Sequence, residues 1–319
     1  MKISVIGCGR WGSFIAWYLD KIGHKVSLFG HETSKNLQKF KETGTNGIVT
    51  LRDEISLITD YSDALDAEIV VISVPSQSLR EVCAEIKTYD PKGKIFVLCM
   101  KGIEISTGKR LSEVASEFLD EYNKIAIWVG PGHPQEFVRG VPNCMVIDSQ
   151  NDTVKSFLID EFSDSLIRLY YGNDLIGNEI GAATKNIIGI AAGMLDGLNY
   201  SSLKGPLIAR APREIVRLTL SLGGNEKSPY GLCHLGDYEA TVFSKYSHNR
   251  AFGEAFVKGE TFDALAEGYY TAEAVHKLSL KYELDMPICE AVYRILYEGI
   301  DPKIALNDLF SRSLKREFY

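Results

Sequence analysis

Ile3-Ser4-Val5-Ile6-Gly7-Cys8-Gly9-Arg10-Trp11-Gly12 is the stretch that decides the fold. A short, mostly β-branched run leads into Gly-x-Gly-x-x-Gly, and Trp11–Ile22 then carries apolar residues at helical spacing. Strand, tight glycine turn and helix in that order form the cradle for a dinucleotide pyrophosphate in parallel α/β sheets. Gly7 permits the turn, Gly9 lets the backbone approach the phosphates, and Gly12 lets helix and strand pack closely. The helix N-terminus adds unpaired N–H groups and a positive dipole end. Gly7, Gly9, Arg10 and Gly12 are therefore cofactor-binding candidates, and the cofactor is NAD or NADP. The next strand ends at Gly30-His31-Glu32. There His31 can meet a 2′-phosphate or Glu32 can accept from a ribose hydroxyl, or both can be turn residues facing solvent.

Working outward, the first half repeats the same alternation. Residues 26–29, 69–74, 95–98 and 125–129 are further apolar runs bounded by Gly, Pro or charge, with helical spacing at 78–86 and 109–119. Two more strand candidates, 144–147 and 166–170, flank a helix-like 154–162. Continuous apolar strands alternating with helices predict a doubly wound parallel sheet. After about Asn173 no strand is evident, and helical patterns run at 179–195, 206–222, 271–282, 289–298 and 302–311. The expected organisation is an α/β dinucleotide-binding domain over 1–172 and an all-helical domain over 173–319. A length of 319 residues suits two such cores.

With 35 Lys plus Arg against 42 Asp plus Glu, the net charge is −7, which argues against a nucleic-acid partner. No run reaches the ~20 apolar residues of a membrane span, and no secretory leader is evident. Six scattered cysteines without C-x-x-C spacing point to a reduced, cytoplasmic chain with no metal site.

Three loops on the carboxyl edge of the sheet carry polar residues together with Gly or Pro: Val74-Pro75-Ser76-Gln77, Met100-Lys101-Gly102-Ile103-Glu104 and Gly130-Pro131-Gly132-His133. Inside the Gly/Ala-rich run Glu179–Leu195 lies Thr184-Lys185-Asn186. Small neighbours would bury Lys185, which is costly without a partner; the alternative is a lysine that snorkels to the surface. The same Gly/Ala-rich helix can pack internally or across a two-fold homodimer interface.

These segments, together with Leu235-Gly236-Asp237, Asn249-Arg250-x-Phe252-Gly253, Glu267-Gly268-x-x-Thr271 and Met286-Pro287-Ile288, resemble the NAD(P)-dependent glycerol-3-phosphate dehydrogenases over nearly the whole chain. The resemblance implies a Rossmann-like domain followed by a helical domain of the 6-phosphogluconate-dehydrogenase C-terminal type. It also implies interconversion of dihydroxyacetone phosphate and sn-glycerol 3-phosphate, a phospholipid precursor. Lys185 matches the family's catalytic lysine and Lys101 a lysine touching substrate and cofactor. Asn186, Thr241, Asp237 and Asn249 match substrate-contacting or active-site positions, and Gly130 the substrate loop. Trp11 and Glu267 match cofactor-side positions, and Pro75 and Pro134 lie in the matched loops. A cation beside a ketone oxygen stabilises the alkoxide that hydride addition creates, and Lys can serve if burial or a second cation lowers its pKa. Asp237 can hold Lys185, accept from a substrate hydroxyl, or cap a helix.

Three departures face the expected substrate end. His248 stands where the family has an arginine, Gly132-His133-Pro134 replaces the usual Ser/Thr-Phe-Ala, and Cys233-His234 replaces Ala-Gly. Imidazole does not match phosphate as a guanidinium fork does. Either Arg250, Asn249 and helix N-termini hold the phosphate, with His248 beside them, or the substrate is a different 2-keto compound. A non-catalytic nucleotide-binding protein is the remaining alternative.

Overall fold

The computed structural model describes residues 1–314, 316 and 317. Eight strands form one sheet: β1 (Lys2–Ile6), β2 (Lys25–Phe29), β3 (Ser56–Ile58), β4 (Ile69–Ile72), β5 (Ile95–Leu98), β6 (Lys124–Val129), β7 (Asn143–Ser149) and β8 (Ile167–Tyr171). Their order is β3-β2-β1-β4-β5-β6-β7-β8. The chain winds outward from β1 in both directions, so the strand order reverses between β1 and β4. Ile3 lies beside Val26 on one side and Ile69 on the other. Ligands of open α/β sheets bind at such a switch point, outside the carboxyl ends of the strands.

Helices α1 (Arg10–Lys21), α2 (Lys35–Thr43), α3 (Tyr61–Leu65), α4 (Leu79–Thr88), α5 (Leu111–Ser116), α6 (Pro134–Val138) and α7 (Asp152–Phe162) connect the strands. The strands bury side chains on both faces. Phe14, Tyr18, Trp128 and Phe162 fill one face, and Phe29, Val70, Ile86 and Phe96 the other. This double coverage is why β4 reads as four consecutive apolar residues, all buried.

The sheet is not wholly parallel, which corrects the expectation from sequence. β7 runs antiparallel to β6, with Ile127 opposite Asp148, whereas β8 is parallel to β7. Residues 130–142, between β6 and β7, hold only the five-residue α6. That segment stays at the carboxyl edge, and the chain re-enters the sheet from there, reversing its direction.

The remainder is helical: α8 (Leu175–Gly197), α9 (Lys204–Ser221), α10 (His248–Lys258), α11 (Glu267–Lys281), α12 (Pro287–Tyr297) and α13 (Pro302–Phe310). Between α9 and α10 lie short 3₁₀ turns, one at Leu235–Asp237, and a π-helical turn at Glu239–Phe243. α8 is the axis of this portion, buried among α10, α11, α12 and the π turn. Its small residues set the approach distance: a Cβ on Gly193 would stand 1.9 Å from the Arg250 carbonyl oxygen of α10. Close packing of this kind puts the middle of α8 out of reach of water, Lys185 included.

Candidate active site

The glycine loop has the geometry its sequence requires. Gly7 sits at φ +112°, and a Cβ there would lie 2.2 Å from the Ser73 carbonyl oxygen at the end of β4. Gly12 is equally constrained, its added Cβ falling 1.9 Å from the Gly7 carbonyl oxygen. Gly9 precedes α1 and has no side chain to cap it, so the first N–H groups of α1 face the cleft. Trp11 packs on Phe14, with ring centroids 5.2 Å apart. His31 is exposed at the end of β2, edge-on to Phe29 and Tyr61. It borders a cavity of about 560 Å³ whose walls include Tyr61, Tyr89, Asp60 and Glu85.

Across the carboxyl edge, three elements converge on one carboxylate. Asp237, whose side chain is 1% exposed, accepts through Oδ2 from Lys101 Nζ at 2.8 Å and lies 3.0 Å from Lys185 Nζ. Lys101 follows β5 and also donates to the Gly130 carbonyl at 2.6 Å, tying together two of the edge loops. Lys185 comes from mid-α8 and donates to Thr241 Oγ1 at 2.8 Å. Thr241 stands on the π turn and lies 3.5 Å from Asp237 Oδ1. Such turns re-aim side chains that an α-helix would direct elsewhere. Burial pushes the Lys185 ammonium down to about 8; Asp237 opposes this and the Lys101 charge assists it.

A chain of amides extends the cluster. Asn186 donates to the Lys101 carbonyl at 3.3 Å, Asn249 Nδ2 donates to Asn186 Oδ1 at 3.0 Å, and Gly268 N donates to Asn249 Oδ1 at 2.8 Å. Glu267 opens α11 and accepts from Ser76 N at 2.9 Å and from the Ser76 hydroxyl, beside exposed Pro75. Burial raises the Glu267 carboxyl. Pro134 is buried at the first turn of α6.

Two histidines without a role assigned from sequence are buried in this region. His133 Nε2 donates to the Ala240 carbonyl at 2.8 Å, and burial, with Lys185 close by, lowers it to about 4. His234 is fully buried, lowered to about 4 by desolvation, and bonded to the Tyr238 hydroxyl at 2.7 Å and the Gly181 carbonyl at 3.0 Å. Only their burial flags them, and it comes from residues distant in sequence.

The expected phosphate contacts are arranged differently from the sequence expectation. Arg250 is not among the clustered residues, although it adjoins Asn249. Its Nε donates to Asp196 at 2.7 Å, and it pairs with Glu254 at 3.4 Å. Asp196 is eleven residues beyond Lys185 on α8, about 16 Å along the axis. One residue along a helix rotates a side chain by about 100°, which carries Arg250 away from the direction of Asn249. Arg10, by contrast, reaches out of the glycine loop to the start of α10. Its Nη1 donates to the Tyr246 carbonyl at 3.3 Å and to His248 Nε2 at 3.0 Å.

Among the described residues no three His, Cys, Asp or Glu side chains group to hold a metal ion. A larger apolar cavity of about 1020 Å³ lies among α8, α9, α12 and α13 and includes none of the clustered residues.

A pyrophosphate cradle at the switch point, facing a buried lysine with a lowered pKa, defines a class: the nicotinamide-dinucleotide-dependent oxidoreductases. Residues 2–155 match the family model for the NAD-dependent glycerol-3-phosphate dehydrogenase N-terminus, and residues 174–307 match that for its C-terminus. The chain belongs to the NAD-dependent glycerol-3-phosphate dehydrogenase family. It is 37% identical to the glycerol-3-phosphate dehydrogenase (NAD(P)+) of Thermoanaerobacter sp., over 100% of this chain and 99% of the relative. Identity is again 37% to the Chlorobium limicola enzyme of the same name, over the full length of both. The crystal structure of glycerol-3-phosphate dehydrogenase from Coxiella burnetii superposes with a TM-score of 0.91 at 30% identity, over 98% of this chain and 99% of that one. D-mandelate dehydrogenase, solved with NADH, shares the fold at a TM-score of 0.67 and 16% identity.

Proposed function

We propose that this chain interconverts dihydroxyacetone phosphate and sn-glycerol 3-phosphate, with Lys185 as the acid–base group at the substrate C2 oxygen. The observation that carries this reading is the Lys101–Asp237–Lys185 cluster on the carboxyl edge, opposite the glycine loop. The loop fits a dinucleotide: Gly7 and Gly12 leave no room for a Cβ, Gly9 faces open space, and the uncapped α1 N-terminus can receive the pyrophosphate. The nicotinamide cofactor, NAD or NADP, supplies or takes up the hydride when bound.

The remaining chemistry belongs to the protein. Lys185, near 8, is mostly an ammonium at neutral pH and donates to the C2 oxygen as negative charge develops there. In the reverse direction the neutral amine accepts the alcohol proton. Asp237 fixes the amine, and Lys101 keeps it acidic enough to give up its proton. Asn186 and Asn249 stand ready to orient the substrate, and Glu267 with Ser76 closes the cofactor side. Residues 1–172 then hold the cofactor, and residues 173–319 bring the proton donor.

No helix among the described residues is long and apolar enough to cross a membrane. All six cysteines are unpaired, which suits a reducing compartment, and we assign the enzyme to the cytoplasm. There its product would feed glycerophospholipid synthesis. The test is Lys185→Ala. Reduction of dihydroxyacetone phosphate should fall by about 10³-fold, while NADH or NADPH affinity, followed by nicotinamide fluorescence, is retained. Turnover equal to the wild type would refute the role of Lys185. Failure of the unaltered protein to oxidise either cofactor with this ketone would refute the substrate.

A further inference from the structure

The family's arginine is missing at position 248, and Arg250 is committed to Asp196 and Glu254. A phosphorylated ketone nevertheless needs a cation at its phosphate end. Arg10 is the guanidinium bonded at position 248. It rises from the first turn of α1 and crosses to the segment 246–248 that leads into α10. His248, the first residue of α10, adjoins Asn249, which is bonded to Asn186 next to Lys185. The buried His133 ring lies within electrostatic range of both Lys185 and Arg10.

The chemistry of the pair assigns the roles. A guanidinium only donates, so His248 Nε2 must accept, and Nδ1 carries the proton toward the Leu265 carbonyl at 3.2 Å. His248 is therefore a neutral imidazole held at both nitrogens, consistent with burial and the neighbouring Arg10 charge lowering its pKa. It orients a cation and is not itself one. Arg10 forms no ion pair among the described residues, and both of its hydrogen bonds use Nη1. The Nε and Nη2 edge is left as a planar fork, the shape that binds a phosphate by two parallel hydrogen bonds. A partly desolvated guanidinium with no carboxylate beside it is costly until an anion arrives.

We propose that Arg10, positioned by His248, is the cation that grips the phosphate group of the substrate, in place of an arginine at position 248. The inference rests on the reading that the substrate is a phosphorylated ketone. It favours the substrate phosphate over the cofactor pyrophosphate because both hydrogen bonds of the guanidinium go to the segment that leads into α10, beside Asn249.

The test compares reduction of dihydroxyacetone phosphate with that of dihydroxyacetone, which lacks the phosphate, alongside cofactor Kd by fluorescence. In Arg10→Gln, kcat/KM for the phosphorylated ketone should fall about 100-fold more than for dihydroxyacetone, mainly through KM, with a much smaller change in cofactor Kd. Arg10→Lys should keep part of the preference, because it retains the charge and loses the fork. Adding His248→Arg to Arg10→Gln should restore most of it. Equal losses on both ketones, or a cofactor Kd weakened by the same factor, overturn the assignment and leave the function standing. If the unaltered enzyme reduces neither ketone, the functional reading fails and this inference with it.

Discussion

Replacing Asp237 by Asn removes the one negative charge between buried Lys185 and partly buried Lys101 while keeping the side chain's size. The carboxylate lies 3.0 Å from Lys185 and 2.8 Å from Lys101. At an effective dielectric of about 20, an ion pair at that distance is worth about 5 kcal/mol. Each 1.36 kcal/mol moves a pKa by one. Water admitted around the amide and small displacements of the two lysines absorb part of that energy, so about half of it should reach the titration of Lys185. In the unaltered enzyme, kcat/KM for ketone reduction should be level below pH 8 and fall above it, because the reaction needs the ammonium form and burial has brought Lys185 to about 8. In Asp237→Asn the descending limb should begin about two pH units lower. At pH 7.5 the variant should then be about 30-fold slower, and it should regain most of that activity by pH 5.5. Stopped-flow or steady-state reduction across pH 5–9 reads both limbs. A variant that loses activity equally at every pH, with its midpoint still near 8, would show that Asp237 sets position and not charge, and would refute the reasoning.

Two further outcomes concern stability. Gly193→Ala places a Cβ 1.9 Å from the Arg250 carbonyl oxygen, forcing α8 and α10 apart; urea denaturation should show a loss of about 3 kcal/mol. His234 stays neutral in the folded protein down to about 4, whereas the unfolded chain binds its proton below about 6.5. Its contribution is therefore lost as pH falls through that window. His234→Gln, which cannot titrate, should lose about 2 kcal/mol less than the unaltered protein between pH 7 and pH 5, and parallel pH dependences would contradict this.

The parts of the fold that could be read from sequence were those with a strong local pattern. The Gly7–Gly12 turn, the apolar strands and the long helices of the second half fall within a few residues of their predicted bounds. β3 escaped because three residues carry no periodicity. α2 escaped because polar residues dominate it. The reversal at β7 escaped because strand direction leaves no mark on an apolar run. At the site, the family resemblance named the lysines and Asp237, but their shared carboxylate joins residues up to 136 apart. The Arg10–His248 pair spans 238 positions, and neither residue alone points to the other. Arg250 offers a guanidinium where position 248 lacks one, yet adjacency on a helix separates its direction from that of Asn249.

The same geometry resolves how a chain of net charge −7 receives a dianionic substrate. Lys101 and Lys185 share one carboxylate, so the ketone end of the cleft carries a single net positive charge. Arg10 adds a second at the phosphate end, with no carboxylate to cancel it among the described residues. A phosphate monoester carries about −1.5 to −2 at neutral pH, so the proposed binding mode closes the local balance near zero. Buried and partly buried charges are screened by salt much less than exposed ones. The small residues of α8 keep Lys185 buried, and burial supplies its lowered pKa. The packing that makes α8 the axis of the helical portion and the chemistry at Lys185 thus have one cause, the Gly/Ala-rich sequence around it.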